Sequence, residues 1–378
     1  MSSMFLDYHL PDEKIAQRPI GQGSDRSNSK LLHASIAGNK QLHIENKHYS
    51  DLPNILKSGD LLVLNNSKVL PCRFFVKTDY SEIEILFVRS ISVASGAEET
   101  WEVLARPMKR LKIGKVFNLC PGLNAVAERR GDDNPGRLLL RVYKDNTTET
   151  GSVGALLQKH ALMPIPPYIR GGHADAQDRE TYQNIYAETF GSIAAPTAGF
   201  HFTEELFNEF SRHGIEKAYI TLHVGTASFT PIRECDVEHH KMDVEHYEIT
   251  SEVAQKICNA KAAGRRVVVV GTTCLRALEA AVRTPELAFL SGKFGGETKN
   301  SQTGQIFKQQ TDLFITPGFD FKVADGLITN FHQPKSTHLL LVASFVGEEN
   351  AAKIYQHALN SNYRFLSYGD GMLLDRKE

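Results

Sequence analysis

Three histidines of this 378-residue chain, His201, His223 and His332, lie in polar loops where an imidazole could move a proton. A neutral imidazole can act as an acid or a base near physiological pH. Each can equally be a buried side chain that only makes hydrogen bonds, because the residue type does not separate the two roles. We predict that at least one is catalytic. His332 is the first candidate, because Pro334 stiffens its loop and the charge of Lys335 favours a neutral imidazole.

Three polar segments, 195–203, 271–276 and 330–337, each stand ahead of a helix-like run. Such loops offer unpaired backbone N–H groups to anionic ligand atoms, and an open α/β sheet binds its ligand there. The convergence of three such loops indicates an enzyme. The predicted substrate-binding residues in these segments are Thr197, Gly199, Phe200, Gly271, Thr272, Thr273, Arg276, Asn330, Phe331, Lys335 and Ser336.

The charged and hydroxyl groups of these segments suit an anionic ligand group. Backbone N–H groups and hydroxyls at 271–273 could hold a carboxylate or phosphate, although ordinary N-capping by a threonine explains them too. Arg276 could clamp a carboxylate with two hydrogen bonds or could pair with Glu279 on the surface. Lys335 opposes the helix dipole and therefore predicts a nearby anion, unless the side chain is simply exposed. Ser336 is typical of an N-cap.

Aromatic residues near these loops could stack a nucleobase, as single-stranded RNA readers do, although each ring alone is more often part of the core. The candidates are Tyr168, Phe200, Phe331 and Tyr368. Asp370 is the fourth catalytic candidate. Its carboxylate could face the substrate or could be solvated in a C-terminal turn.

Hydrophobic periodicity divides the chain into two kinds of region. From about residue 69 to 143, apolar and polar residues alternate as in half-buried strands, and turn residues separate the runs. On either side, helix and strand patterns alternate, and Val267–Val270 is typical of a strand covered on both faces. We predict a mixed α/β, barrel-like main domain built from residues 1–68 and 151–378. An all-β barrel domain is inserted at 69–150.

The net charge of −1 gives the chain no general attraction to nucleic acid, so any RNA contact must come from a local patch. A solvated hairpin face is the alternative interpretation of such a patch. The best local patch of this kind consists of Arg106, Lys109, Arg110 and Lys112.

The five cysteines are widely spaced and form no C-x-x-C pair, which fits reduced thiols and predicts no metal. His239, His240 and His246 lie close in sequence but lack the helical H-E-x-x-H spacing of a zinc site. The chain shows neither a basic leader nor an apolar run near the roughly 20 residues of a membrane span. We therefore expect a soluble cytoplasmic protein.

A set of ordered motifs extends from Phe5 to Asp370, across nearly the whole chain. They include PIPPYI at 164–169, APTAGFHFT at 195–203, LHVGT at 222–226, GTTCLR at 271–276, NFHQPKST at 330–337 and YRFLSYGD at 363–370. On these motifs the sequence closely resembles the S-adenosylmethionine:tRNA ribosyltransferase-isomerases of queuosine biosynthesis. The resemblance adds Gly225 and Thr226 to the predicted substrate-binding residues.

The resemblance implies a transferase that moves and isomerises the ribosyl part of S-adenosylmethionine. The acceptor would be preQ1, an aminomethyl-7-deazaguanine at the wobble position of a tRNA anticodon, and the products epoxyqueuosine-tRNA, adenine and methionine. It implies no cofactor beyond S-adenosylmethionine as co-substrate, and it favours contact of the basic patch with the tRNA backbone. We expect a monomer.

The sequence departs from the family pattern at Asn66, where a carboxylate is usual, and at Ala227, Cys274, Gln333 and His338. Two other classes stay open. An RNA methyltransferase would also use S-adenosylmethionine but would release S-adenosylhomocysteine. A non-catalytic RNA-binding protein would explain the basic patch, but it would not need three polar loops on one scaffold.

Overall fold

The computed structural model describes residues 7–21, 23–38, 41–78, 81–94, 98–131, 136–145, 151–225, 242–292 and 304–376. The chain divides into two compact units, Met1–Lys68 together with Thr181–Glu378, and Val69–Glu180. The first is a mixed α/β unit and the second contains an antiparallel sheet that is nearly closed into a barrel. The predicted fold class is confirmed.

A nine-stranded mixed sheet forms the centre of the first unit, in the order β15-β13-β12-β3-β14-β16-β17-β1-β2. Its strands are β1 (Lys30–Ile36), β2 (Leu42–His48), β3 (Leu61–Asn65), β12 (Glu216–His223), β13 (Glu245–Thr250), β14 (Val267–Val270), β15 (Ile306–Thr311), β16 (Gly326–Asn330) and β17 (Gly371–Asp375). Two further strands, β4 (Ser67–Val69) and β11 (Thr189–Ser192), pair separately.

Strand direction decides which residues meet at one edge of this sheet. The neighbours β12, β3, β14 and β16 are parallel, so their carboxyl ends lie on the same side. β17 is antiparallel to β16, with Gly371 opposite Asn330, so its first residue lies there too. We call this the carboxyl edge; it is defined by the ends of β12, β3, β14 and β16 and the start of β17.

Helices pack against the sheet, and the strands β3, β14 and β16 are buried along their whole length, as in a sheet covered on both faces. They are α1 (Leu52–Ile55), α4 (Glu204–Arg212), α5 (Ser251–Ala262), α6 (Thr272–Ala281), α7 (Thr337–Val346) and α8 (Glu348–Asn360). The Oγ1 atom of Thr203 accepts the backbone N–H of Leu206 at 3.2 Å, so Thr203 is the N-cap of α4, as its sequence context predicts. The apolar face of α4 packs on the sheet through residues such as Phe207 and Phe210.

The second unit holds a six-stranded antiparallel sheet in the order β5-β6-β7-β10-β9-β8. Its elements are β5 (Arg73–Thr78), β6 (Ser81–Ala94), β7 (Glu98–Arg106), β8 (Val116–Cys120), β9 (Leu123–Arg130), β10 (Leu138–Lys144), α2 (Val153–His160) and α3 (Asp178–Thr181). This unit extends past the period-two region because polar contacts bind the following segment to the sheet. The N–H of Gly154 donates to Glu99 Oε1 at 3.1 Å, and Arg73 Nη1 donates to the carbonyl of Gly172 at 2.8 Å.

Among the residues that the structure describes, the longest apolar helical stretch is too short to cross a membrane.

Candidate active site

The carboxyl edge collects most of the residues singled out from the sequence. His223 is the last residue of β12, Gly271 joins β14 to α6, and Asn330 is the last residue of β16. Asp370 directly precedes β17. The predicted convergence of polar loops thus follows from one property of the sheet, the common direction of four neighbouring strands.

The turn at Thr197–Gly199 joins this edge through a side-chain contact. Thr197 Oγ1 donates to Asn330 Oδ1 at 2.8 Å. Gly199 is required by space, because a Cβ atom there would lie 2.0 Å from the hydroxyl of Tyr186 and 2.6 Å from Asn184 Oδ1. Asn184 Nδ2 donates to the carbonyl of Pro196 at 3.1 Å and so fixes the turn from behind.

A group of hydrogen-bond donors lies at the start of α6. Gly271, with φ of 90°, is the N-cap, and α6 has no side-chain cap, so neither threonine takes the capping position that ordinary N-capping predicts. Asn330 Nδ2 is a further donor. Asn330 is 3% exposed and its Nδ2 has no partner among the described residues. The strand β16 lies next to β14, with Ile328 opposite Val270, so the backbone of Asn330 at the end of β16 lies near the start of α6. These donors suit an anionic or carbonyl group.

Arg276 forms a buried ion pair within the chain. Its Nη1 pairs with Glu245 Oε2 and its Nε donates to the carbonyl of Leu313 at 3.0 Å. Its Nη2 has no partner among the described residues, which leaves one donor for a ligand. Glu245 Oε1 accepts the N–H of Gly225 at 3.4 Å. Burial raises the pKa of Glu245, and the adjacent guanidinium opposes this shift.

The alternative surface pair between Arg276 and Glu279 does not form. Glu279 is fully buried, and its carboxylate accepts the N–H of Val323 at 2.9 Å and that of Ala324 at 3.1 Å. Arg283 Nη1 also contacts it, at 3.1 Å from Oε2. Glu279 therefore holds the loop that leads into β16 and takes no part in charge pairing with Arg276.

His332 is held by its backbone, and its ring makes two contacts. The N–H donates to the hydroxyl of Tyr355 at 3.0 Å, and the carbonyl accepts the hydroxyl of Tyr8. Nε2 lies 3.0 Å from Thr329 Oγ1, and the ring stacks on His338 with 5.1 Å between centroids. Burial lowers the pKa of His332 well below its usual value, and His338 adds to the effect. His332 is therefore a neutral imidazole at neutral pH.

In the loop after His332, Lys335 forms an ion pair and Ser336 caps a helix. Lys335 has φ of 55° and its Nζ lies 2.9 Å from Asp7 Oδ2, so a carboxylate of the chain supplies the predicted anion. Burial and His338 lower the pKa of His332, so the effect predicted for Lys335 is not the cause of its neutral state. Ser336 Oγ accepts the N–H of Leu339 at 3.2 Å, so Ser336 is the N-cap of α7.

His201 lies in the interior, 3% exposed, with its ring stacked on Tyr49 at 4.1 Å between centroids. Its Nε2 has no partner among the described residues. Burial lowers the pKa of His201 to about 3, and the charges of Arg364 and Arg26 add to the effect. This geometry favours the alternative of a buried structural histidine.

We expect acid to destabilise the wild-type protein more than a His201→Phe variant. The imidazole is protonated in the unfolded chain below its usual pKa of 6.5 but resists protonation in the folded interior until the pH nears 3. Its contribution to stability is complete above pH 6.5 and is lost as the pH falls, by about 2 kcal/mol at pH 5. Urea unfolding of both proteins at pH 7 and pH 5 measures the difference. Equal losses in the two proteins would contradict it.

Both carboxylate oxygens of Asp370 accept hydrogen bonds from backbone N–H groups of the chain. Oδ1 accepts the N–H of Lys30 at 3.0 Å and Oδ2 that of Arg364 at 2.8 Å. Asp370 is 1% exposed, and burial raises its pKa while the bond from the Arg364 N–H opposes the shift. The carboxylate ties the starts of β1 and β17 together, which is a positioning role.

Three of the candidate stacking rings are in the core. Phe200 and Tyr368 lie 5.8 Å apart between centroids, and Phe331 packs on Phe365 at 5.0 Å. All three are at most 3% exposed. The fourth, Tyr168, is half-buried in the second unit. Packing in the core accounts for aromatic side chains at these positions as well as stacking on a ligand does.

The basic patch lies on the second unit, at the end of β7 and in the loop before β8. All four of its side chains are exposed: Arg106, Lys109, Arg110 and Lys112. Exposed Ile113 and Val116 lie beside them. The surface is therefore open to a partner.

Some residues discussed from the sequence lie outside the described part of the chain. They are Thr226, Ala227, His239 and His240.

Sequence reasoning missed several polar residues that meet the candidate site. Ser67 contacts His223, Ser192 contacts Ser67, and Glu245 pairs with Arg276. A signal was present for Ser67, since the polar run 65–68 follows the apolar strand β3 as the other site loops follow theirs. Ser192 and Glu245 carry no such signal, because their partners are distant in sequence.

The chain is similar to proteins of one known family. A model of the family described as "Queuosine biosynthesis protein" matches residues 3–374. The chain belongs to the queuosine biosynthesis protein family. The S-adenosylmethionine:tRNA ribosyltransferase-isomerase of Natranaerobius thermophilus is 38% identical over 372 residues, covering 98% of each chain. That of Polynucleobacter necessarius is 40% identical over 375 residues, covering 99% of this chain and 97% of its own.

A solved structure supports the same family membership. The S-adenosylmethionine tRNA ribosyltransferase of Thermotoga maritima superimposes with a TM-score of 0.51 at 30% identity, covering 98% of this chain and 99% of that one. The resemblance drawn from the sequence motifs is confirmed, and so is the class of enzyme.

Proposed function

We propose that this queuosine-family enzyme transfers the ribosyl part of S-adenosylmethionine to preQ1 at the wobble position of a tRNA and isomerises it to epoxyqueuosine. Adenine and methionine leave. The observation that carries the proposal is similarity of 38–40% identity over nearly the full chain to enzymes named for ribosyl transfer and isomerisation. The donors and neutral histidine of the carboxyl edge agree with it.

The carboxyl edge supplies the groups that this reaction needs. The donors at the start of α6, with Asn330 Nδ2 and Arg276 Nη2, are placed to hold the methionine carboxylate. A carbon next to a sulfonium is acidified, so a neutral base can remove its proton. His332 is the base in our proposal, because burial keeps its imidazole neutral and its Nδ1 has no partner among the described residues.

The tautomer of His332 sets a condition on this role. Nε2 contacts Thr329 Oγ1, so Nδ1 is the nitrogen left to act as the base. To accept a proton at Nδ1, the ring must carry its own proton on Nε2, where the hydroxyl oxygen of Thr329 accepts it. Thr329 thus stabilises the tautomer of His332 in which Nδ1 can accept a proton.

The barrel, predicted from the sequence as a domain at 69–150, is the tRNA-binding part in this proposal. The exposed basic patch supports phosphate contacts there. We expect the enzyme to act as a cytoplasmic monomer, with S-adenosylmethionine as its co-substrate and no further cofactor.

Removing the basic patch should weaken the salt dependence of tRNA binding. In a variant with Arg106, Lys109, Arg110 and Lys112 changed to Ala, the slope of log affinity against log salt should fall by up to about one unit per lost phosphate contact. Titrations at several salt concentrations measure this.

A double variant, Lys109→Ala with Lys112→Ala, has a matched control in Lys256→Ala with Lys353→Ala. The control removes the same charge from two exposed positions on α5 and α8. The patch variant should lose slope and the control should not. Equal slopes in both would place the tRNA elsewhere.

Product analysis tests the proposed reaction. The protein is incubated with S-adenosylmethionine and with tRNA that carries preQ1 or guanine at the wobble position, and the small molecules are separated by chromatography. We expect adenine and methionine only with the preQ1-tRNA. Formation of S-adenosylhomocysteine would indicate a methyltransferase, and tRNA binding without any turnover would indicate a non-catalytic RNA-binding protein.

A further inference from the structure

His223 stands at the end of a chain of buried hydroxyl groups. Its Nδ1 lies 2.8 Å from Ser67 Oγ, and Ser67 Oγ lies 2.6 Å from Ser192 Oγ. Ser192 Oγ in turn accepts the backbone N–H of Val224 at 2.9 Å. Both serines are fully buried, so their hydroxyl protons must find acceptors within the protein.

The supply of acceptors fixes the direction of this chain, because a hydroxyl oxygen can accept twice but its one proton needs an acceptor of its own. Ser192 Oγ accepts from the backbone N–H of Val224, and its own proton has one acceptor among the described residues, Ser67 Oγ. The proton of Ser67 then goes to His223 Nδ1. In the reverse order, Ser192 would keep a buried proton without an acceptor, which is costly.

The geometry points to a hydroxyl relay, Ser192 to Ser67 to His223, that locks neutral His223 in the tautomer with its proton on Nε2. His223 then presents a hydrogen-bond donor at the carboxyl edge, toward an oxygen or ring nitrogen of the substrate. Ser67 and Ser192 are positioning residues. The claim that a substrate lies there rests on the proposed function, but the assignment of the tautomer does not.

Other contacts hold the relay and the ring in place. Asn65 Oδ1 accepts the N–H of Ser67 at 3.0 Å, and Asn65 Nδ2 donates to the carbonyl of Leu222 at 2.9 Å, so the amide ties the end of β3 to β12. A Cβ atom on Gly191 would lie 2.6 Å from two atoms of the His223 ring. The backbone of Gly191 therefore covers the ring closely and limits its rotation.

The electrostatic surroundings keep His223 neutral. Burial lowers its pKa, His246 on the neighbouring strand β13 lowers it further, and Glu248 on that strand opposes them. The charge of Glu248 is shared with Lys308, whose Nζ lies 2.9 Å from Oε1. A neutral imidazole with its proton on Nε2 donates at that atom and cannot accept there. The two site histidines thus have separate roles, His223 as donor and His332 as base.

Nitrogen-15 spectra of histidine-labelled protein test the relay, since the two neutral tautomers give different long-range proton correlations. The signal of His223 is identified by its loss in His223→Gln. We expect the Nε2–H tautomer in the wild type, a mixture in Ser67→Ala, and recovery in Ser67→Thr, which keeps the hydroxyl. Ser344→Ala is the control, because that hydroxyl donates to the carbonyl of Leu340 in its own helix.

Kinetics on the same variants test the consequence for the reaction. Removing a partner that orients a functional histidine costs roughly 10- to 100-fold, and we expect a kcat loss of that order in Ser67→Ala with smaller change in KM. Ser192→Ala provides a second measurement should Ser67→Ala not fold.

The relay would be overturned if His223 carried its proton on Nδ1 in the wild type. It would also be overturned if the tautomer of His223 were unchanged in both serine variants. A wild-type protein that shows the Nε2–H tautomer but releases no adenine would instead contradict the proposed function. The two failures are therefore distinguishable.

Discussion

A His332→Ala variant should turn over roughly 10² to 10⁴ times more slowly than the wild type while remaining folded, because a positioned acid or base contributes about that factor. The fold should survive, since the contacts that hold this position to Tyr355 and Tyr8 come from the backbone. Single-turnover release of adenine measures the rate, and circular dichroism verifies the fold.

A Gln substitution separates proton transfer from hydrogen bonding. Gln can still bond to Thr329 but cannot exchange a proton near pH 7, so His332→Gln should stay slow if the imidazole is the base. His213 is a matched control, because it is exposed at the end of α4, and its replacement by Ala should leave the rate unchanged. A near wild-type rate in His332→Ala would exclude it as the base.

Breaking the Arg276–Glu245 pair should cause the largest loss of stability among the single changes considered. Arg276 is 8% exposed and Glu245 is 5% exposed, so removing either partner leaves the other as an uncompensated buried charge. Such a change costs about 3–5 kcal/mol. Urea unfolding of Glu245→Leu and Arg276→Met measures the cost for each side of the pair.

A double-mutant cycle shows whether the loss comes from the stranded charge. Arg276→Met combined with Glu245→Leu removes both charges and should cost much less than the sum of the single variants. The exposed pair Arg212–Glu209 is the control, where Glu209→Ala should cost no more than about 1 kcal/mol. Additive losses at Arg276 and Glu245 would contradict the account.

Local signals in the sequence predicted local structure well. Thr203 caps α4 and Ser336 caps α7, because a cap needs only its own neighbours three residues away. The apolar run Val267–Val270 is a buried strand, and the polar loops gather at one edge because parallel strands point the same way. The period-two region forms the predicted antiparallel barrel sheet.

Partners distant in sequence were not predictable from spacing. The sequence separation between Ser67 and His223 is 156 residues, and periodicity contains no information on such a pair. Arg276 illustrates the difficulty, since its spacing allowed a pair with Glu279, whereas in the fold its partner is Glu245. His201 shows another limit of prediction from local sequence, because it belongs to a polar motif and yet is stacked on Tyr49 in the core.

The fate of the ribosyl carbons tests the central claim most directly. The protein is incubated with S-adenosylmethionine labelled with carbon-13 in its ribosyl unit and with preQ1-tRNA, and the nucleosides of the digested tRNA are analysed by mass spectrometry. We predict that the label appears in the wobble nucleoside, with unlabelled adenine and methionine released. Labelled S-adenosylhomocysteine with no label in the tRNA would contradict the account.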